Sequence, residues 1–438
     1  MLIALVFLLA QALRETPPAA RPPERVLVKA AHLIDGHSSS PRDKFAVLVE
    51  GDRISKVGPA AELQAPGVRV IDLGESWLLP GLIDAHTHVL LQGDITAADY
   101  DEQLLKESIP YRTLRAAAAV RTAVMNGFTT IRDLETEGAM YADVDVKTAI
   151  ARGVIPGPRM FVATRAFAPT GTYPLLGYSW ELQHLPEGVQ IMDGPDAIRK
   201  AVREQVKYGA DWIKFYSDRK YYKTNDPKRP LRSWVNFTRA ELEAMVDEAH
   251  RLGRKVAAHA MAWDGIDAAL TAKVDSIEHG DGLTDDLIDR VVKQNVYWCP
   301  TIYVGMYVAQ GRGGIWPDLI AMEREAFAKA LKRGVRIAYG TDVGGYAWTE
   351  NQAKELSVMV RYGMTPMAAI QSATSVAAAL LDPICPPQAT GCEGSNVGSI
   401  APGRFADLIA VAADPLKDIS TLEHVQFVMK NGEVLKSR

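Results

Sequence analysis

The sequence predicts an α/β protein in which a (β/α)8 TIM barrel carries a small β-sandwich-like satellite domain built from both ends of the chain. Three observations predict it. Strand-like and helix-like runs alternate throughout residues 81–392, whereas residues 26–80 and 393–438 read as short strands broken by Gly and Asp turns. No G-x-G-x-x-G turn follows the first strand of the alternating region. Such alternation implies a parallel sheet, most economically closed as a barrel, with an open doubly wound sheet as the alternative.

Residues 1–25 precede both units. MLIALVFLLAQA is an apolar run ending in Ala10-Gln11-Ala12, and the Pro-rich stretch TPPAARPPER follows it. The run is too short to cross a bilayer as a helix, and it reads as a signal peptide and linker that lacks the usual positive n-region. A cleaved leader implies export to the periplasm or the medium and no membrane attachment of the mature form. A cytoplasmic protein follows if the run is not a signal.

In the satellite, RVLVKAAHLID, FAVLVEGDRISKVG and VRVIDL are strand-like, and near the C-terminus GSIAPGRFADLIAVAAD and HVQFVMKNGEVL repeat that texture, the last with an Asn-Gly hairpin turn. The two ends are expected to pair in one sheet. In the barrel the strand-like runs are LIDAHTHV, FTTIRDL, RMFVAT, WIKFY, KVAAHA, DSIEHG, VYWCPTI and RIAYGTD. Helix-like runs include YRTLRAAAAVRTAVMNG, AIRKAVREQVKYG and RAELEAMVDEAHRLG, each ending in Gly. Thr238 and Glu241 form a capping box ahead of the third.

The chain has 438 residues, 47% hydrophobic and 23% charged, with a net charge of −4 and no long basic run. This is ordinary globular composition, and it argues against nucleic acid as the main partner. Of the three cysteines, Cys385 and Cys392 bracket the loop CPPQATGC. In an exported protein they would close a small disulfide and leave Cys299 free; two separate thiols are the alternative.

Barrel active sites lie at the C-terminal ends of the strands. Strand 1 carries His86 and His88, spaced to share one face. Strand 4 carries Lys214, strand 5 ends at His259, strand 6 at His279 and strand 8 at Asp342. Each alone has a plain explanation: a hydrogen-bonded core histidine, a helix cap at Asp342, a lysine reaching for solvent. Together, four imidazoles and a carboxylate at one barrel mouth form a metal site. Lysine fits such a site chemically. A desolvated amine beside a metal loses its proton more readily, and the neutral amine captures carbon dioxide as a carbamate able to bridge two ions.

PGLIDAHTH, TSVAAALL and GSIAPGRFADLIAV, together with His-x-His on strand 1, Lys on strand 4, His on strands 5 and 6 and Asp on strand 8, resemble the amidohydrolase superfamily. The resemblance covers nearly all of the chain after residue 25. It is nearest to the binuclear amide hydrolases related to Xaa-Pro dipeptidases, imidazolonepropionase-like proteins and ochratoxin-cleaving amidohydrolases. It implies two divalent metal ions of the zinc type, one held by His86, His88 and Asp342 and a more exposed one by His259 and His279, with carboxylated Lys214 bridging them. It also implies catalytic roles for Asp342, Lys214 and His279. An activated hydroxide would attack the scissile carbonyl, and Asp342 would pass its proton to the leaving amine. The substrate would be a small-molecule amide, a dipeptide or an N-acyl amino acid. Relatives are often symmetric homo-oligomers, some of them octamers, so a homo-oligomer is implied too.

The chain departs from this pattern in its loops. Where dipeptidase-like relatives often carry Gly-Gly-His after strand 3, this chain has TGTYP with Tyr173; where they often carry a Tyr before the helix after strand 4, it has Phe237. The loop SDRKYYKTNDPKRPLRSW is basic and aromatic, and Arg232 or a neighbour is its candidate for binding a substrate carboxylate, although a solvated loop explains the same composition. Tyr303, after strand 7, is a second candidate contact. Cyclic-amide hydrolysis of the imidazolonepropionase type, deamination and lactone hydrolysis are the alternatives within the superfamily. Mononuclear deaminases lack the strand-4 lysine and place a Glu soon after the strand-5 histidine; here HAMAW follows, with no acid before Asp264. A non-catalytic structural relative would be expected to lose ligands that this chain retains.

Overall fold

The apolar run RVLVKAAHL forms the strand Arg25–Leu33, with Val26, Leu27, Val28, Ala30 and Leu33 buried. This strand organises an eight-stranded sheet in the computed structural model, which describes residues 24–437 except 64–65, 94–95, 174, 176, 183–184 and 386–393. Arg25–Leu33 pairs antiparallel with Arg42–Glu50 and parallel with Arg69–Asp72 and Trp77–Pro80. The C-terminal chain joins through Leu408–Val411, antiparallel to Trp77–Pro80, and continues through Phe427–Lys430 and Glu433–Lys436. The last two strands turn at Asn431 and Gly432, both at positive φ (49° and 77°), the backbone that an Asn-Gly hairpin turn requires. Residues from both ends of the chain, among them Val28, Leu33, Leu408 and Phe427, share one core under this sheet. The two β-rich ends therefore do pair.

Eight parallel strands follow the expected alternation: β1 (Leu82–Thr87), β2 (Phe128–Asp133), β3 (Arg159–Val162), β4 (Trp212–Tyr216), β5 (Lys255–Ala260), β6 (Ser276–His279), β7 (Tyr297–Cys299) and β8 (Arg336–Ile337). Hydrogen bonding groups β1–β3 in one sheet and β4–β8 in another. The sheets meet at both margins. Asp211 N donates to Val162 O (2.8 Å) at one, while Ala85 N donates to Tyr339 O (2.9 Å) and His88 N to Val343 O (2.8 Å) at the other. Every residue of β1, β2 and β4 is buried, as expected of strands covered on both faces. Small residues contributed by different strands and strand ends, Ala85, Ala163, Ala257 and Ala338, leave room for the rings of Trp212 and Tyr297. The Arg132 guanidinium lies 4.3 Å from the Trp212 ring.

Helices run between the strands. The Thr238–Glu241 capping box forms ahead of Arg239–Arg251. Two strand predictions overran by the widest margins. β7 stops at Cys299, because Pro300 has no N–H to donate, and Ile302 opens the helix Ile302–Arg312. Regular pairing in β8 ends at Ile337, but the chain beyond it stays against β1 through the hydrogen bonds above and through Asp342 N to His86 O (2.7 Å).

Cys299 is free and buried, and Cys385 is disulfide-bonded. Cys392 and residues 1–23, on which most of the expected signal peptide and linker falls, lie outside the described residues. Among the described residues no helix is long and apolar enough to cross a membrane.

Candidate metal centre

The i, i+2 spacing at the end of β1 does what a strand dictates. His86 Nε2 and His88 Nε2 converge on one oxygen, Asp342 Oδ1, at 3.5 and 3.0 Å. Asp342 reaches this point because Gly340 lets the chain lie against β1. A Cβ at Gly340 would overlap Cys299 Sγ and stand 2.9 Å from His86 Cβ. Asp342, His279 and Thr301 all hold positive φ (57°, 71° and 55°), a cluster of costly backbone conformations of the kind found around functional sites.

Each histidine has one ring nitrogen held from outside. His86 Nδ1 lies 2.9 Å from Glu278 Oε2, and His88 Nδ1 lies 3.3 Å from the Glu135 carbonyl. His279 Nδ1 meets Thr301 Oγ1 at 2.8 Å, and His259 Nε2 meets the Tyr221 hydroxyl at 2.7 Å. That leaves Nε2 of His86, His88 and His279 and Nδ1 of His259 as the donors available to a cation. Ligand atoms of His86, His279 and Asp342 lie within 4.8 Å of one another, and the His259 and His279 rings are 4.5 Å apart. Lys214 rises from the middle of β4 and is 1% exposed. All six residues line one cavity.

The electrostatics suit a cation site. Burial pushes His86 and His259 well below the usual imidazole range and His279 to about 4, so their rings are neutral donors. Burial also lowers Lys214, which favours the neutral amine that carbamate formation needs. Burial alone would lower His88 too, but its hydrogen bond to Asp342 and the nearby Glu137 and Glu135 carry it up to about 10. Burial works to raise Asp342, yet His86, His88 and His279 hold its carboxyl well below the carboxylate range. Where no ion is bound, His88 bears the positive charge at this position. The donor set and its charge state thus fit a metal centre.

Beneath the imidazoles lies a buried support that sequence reasoning missed. Glu278 joins His86 to Arg132, whose Nη2 donates to Glu278 Oε1 (2.9 Å) and whose Nε donates to the Ala85 carbonyl (2.6 Å). An acid in the middle of the apolar β6, one residue before His279, was the available signal. Glu278→Gln keeps the shape but removes the charge facing Arg132 and His86. We expect metal affinity to fall about 10–100-fold, measured by chelator competition, together with a lower melting temperature. Unchanged affinity would mean that Glu278 does not orient His86.

Of the candidate substrate contacts, Tyr173 lines the cavity. Its hydroxyl donates to Glu137 Oε2 (2.7 Å), and its ring stacks 4.4 Å from that of Tyr216, which donates to Glu135 Oε2 (2.5 Å). Arg232 is not in the lining; its guanidinium forms a two-pronged pair with Asp264, both contacts at 2.6 Å. Tyr303 is not there either. It packs 5.0 Å from the Tyr346 ring and donates to Glu350 (3.3 Å), while Val304 and Val308 of the same helix face the cavity. The arginine contributed by the strand-4 loop is Arg219.

Known proteins resemble this chain along most of its length. "Ochratoxinase" of Aspergillus niger is 30% identical over 443 residues, covering 94% of this chain and 86% of that protein. "Imidazolonepropionase" of Cutibacterium acnes is 26% identical, covering 84% of each. Among solved structures, an Xaa-Pro dipeptidase with methionine bound in its active site matches at a TM-score of 0.82 with 31% identity, over 94% of this chain and all of the other. The A. niger ochratoxinase structure matches at 0.79 with 27% identity, over 95% and 97%. This likeness implies a TIM-barrel-type fold with a satellite domain and a hydrolase acting on carbon–nitrogen bonds. The description "Amidohydrolase family" matches residues 77–435, from the strand before β1 to the last strand of the satellite sheet, and the chain belongs to that family.

Proposed function

We propose that the protein is a binuclear zinc hydrolase that cleaves the amide bond of a dipeptide or an N-acyl amino acid. The observation that carries this reading is the gathering of His86, His88, Lys214, His259, His279 and Asp342 on one cavity, with donor nitrogens available from all four imidazoles. We read the two parallel sheets as a single closed (β/α)8 barrel, which the hydrogen bonds at both margins support. His86, His88 and Asp342 would hold one ion and His259 and His279 the other. The neutral Lys214 amine would add to carbon dioxide, forming an N–C bond and releasing a proton, to give the carbamate between them. When bound, such ions supply a water of lowered pKa and polarise the scissile carbonyl.

The chain's own residues do the rest. Asp342, whose carboxyl is held ionised, is placed to accept the proton of the attacking water and return it to the leaving amine. In metal-free protein His88 Nε2 holds the Asp342 carboxylate at 3.0 Å, and an ion would take the place of that proton between the two groups.

Metal analysis combined with a substrate panel tests the reading. Chelator-treated protein should be inactive, and reloading should restore turnover at about two zinc ions per chain. Dipeptides and N-acyl amino acids should release free amino acid. Full activity in metal-free protein would overturn the metal reading, and inactivity across the panel in reloaded protein would turn attention to lactones and cyclic amides.

A further inference from the structure

Arg219 is an uncompensated cation on the wall of the candidate catalytic cavity. It lines that cavity, its Nε is buried, and among the described residues neither a hydrogen-bond acceptor for that atom nor a carboxylate partner for the guanidinium is present. A polar atom buried without a partner is costly, and this one belongs to a side chain that lines the candidate catalytic cavity, where a ligand would complete it. Arg232 in the same hairpin shows the contrast, since Asp264 satisfies it on two prongs.

The position is built. Asp218, one residue earlier, accepts the backbone N–H groups of Met261 (3.1 Å) and Ala262 (2.9 Å) and the Ser233 hydroxyl (2.8 Å), which pins the start of the hairpin to the end of β5. A bulge between Arg219 and Tyr222 then breaks the strand alternation. The guanidinium carbon stands 3.9 Å from the Tyr173 ring centroid and 5.0 Å from that of Tyr216, so the charge is oriented by two aromatic faces rather than neutralised. Two residues further on, Tyr221 holds His259 Nε2. One short hairpin thus places an unpaired guanidinium beside the outer candidate ligand.

We propose that Arg219 binds a carboxylate of the substrate on the carbon next to the scissile amide nitrogen, which makes the enzyme selective for amides of free α-amino acids. This deepens the amide-hydrolase reading above and rests on it. A planar guanidinium pairs with a carboxylate through parallel N–H donors, a geometry that a carboxamide cannot reproduce. Leu91, Met261 and Val308 supply apolar wall in the same cavity.

The test uses zinc-loaded protein and matched probes: the N-acetyl derivatives of L-phenylalanine, L-leucine and L-proline, each beside its carboxamide. Turnover is followed by released amine and binding by calorimetry. Wild type should prefer the carboxylates at least tenfold. Arg219→Gln should remove that preference by lowering kcat/KM for the carboxylates about 10²-fold, mostly through KM. Zinc content should be retained, kcat/KM for the carboxamides should fall far less than for the carboxylates, and Arg219→Lys should recover part of the loss. Equal treatment of both members of each pair by wild type overturns the inference, as does a preference that survives Arg219→Gln or an absence of binding by every probe. If the carboxylates bind selectively through Arg219 but none is cleaved, the carboxylate site stands and the amide-hydrolase reading fails.

Discussion

Lys214→Ala is expected to lower turnover on the order of 10³-fold or more, because it removes the group that would join the two ions and set their spacing. The same variant should retain at most one metal ion per chain. Lys214 lies in the middle of a fully buried strand, so alanine also leaves a cavity where the lysine stem was, and thermal unfolding should be recorded in parallel. Lys214→Met fills that space without an amine and separates the chemical from the packing effect. Both variants should be equally inactive if the amine carries the function. Turnover within tenfold of wild type at two metal ions per chain would rule out the carbamate.

Asp342→Asn should lower kcat by roughly 10²–10⁴-fold, the range of a lost general base, and should lower the melting temperature of metal-free protein at neutral pH, because the ionised carboxyl is favoured by the fold. Asparagine is the informative replacement because residue 342 sits at φ 57°, a conformation that Asn tolerates and most side chains do not. The substitution therefore removes charge without disturbing the backbone. It also removes the carboxylate that draws His88 up to about 10, so His88 in metal-free protein should titrate at lower pH, a shift that imidazole NMR signals would report. A kcat within fivefold of wild type would deny Asp342 its role as base.

How much of this was legible beforehand differs from residue to residue. Five of the six candidate ligands were readable because strand geometry turns sequence position into direction: His86 and His88 share a face, His259 and His279 fall at the ends of β5 and β6, and Asp342 follows β8. Lys214 was readable as a lone amine between Ile213 and Phe215 in an apolar strand. The pairing of the chain ends was readable from repeated strand texture and from Asn431-Gly432. The buried support was not, because Glu278 and Arg132 find each other across the interior, 146 positions apart in sequence, and no local pattern encodes that meeting. The choice among the arginines of the strand-4 loop was not readable, because composition cannot show that Arg232 has an acidic partner and Arg219 has none among the described residues, and the bulge at Arg219 breaks the alternation that would have assigned faces. Tyr303 went astray because helix phase after Pro300 decides which residues look inward; that phase gives Val304 and Val308 to the cavity.

The pairing of Leu408–Val411 with Trp77–Pro80 bears on how the protein is made. During synthesis the segment carrying His86 and His88 emerges early, yet the strand just ahead of it waits for a neighbour more than 300 residues further along the chain. Leu78 and Leu79, fully covered in the finished protein, lack that neighbour's cover until it has been made. A premature stop before residue 408 would therefore leave a sticky, unfinished polypeptide.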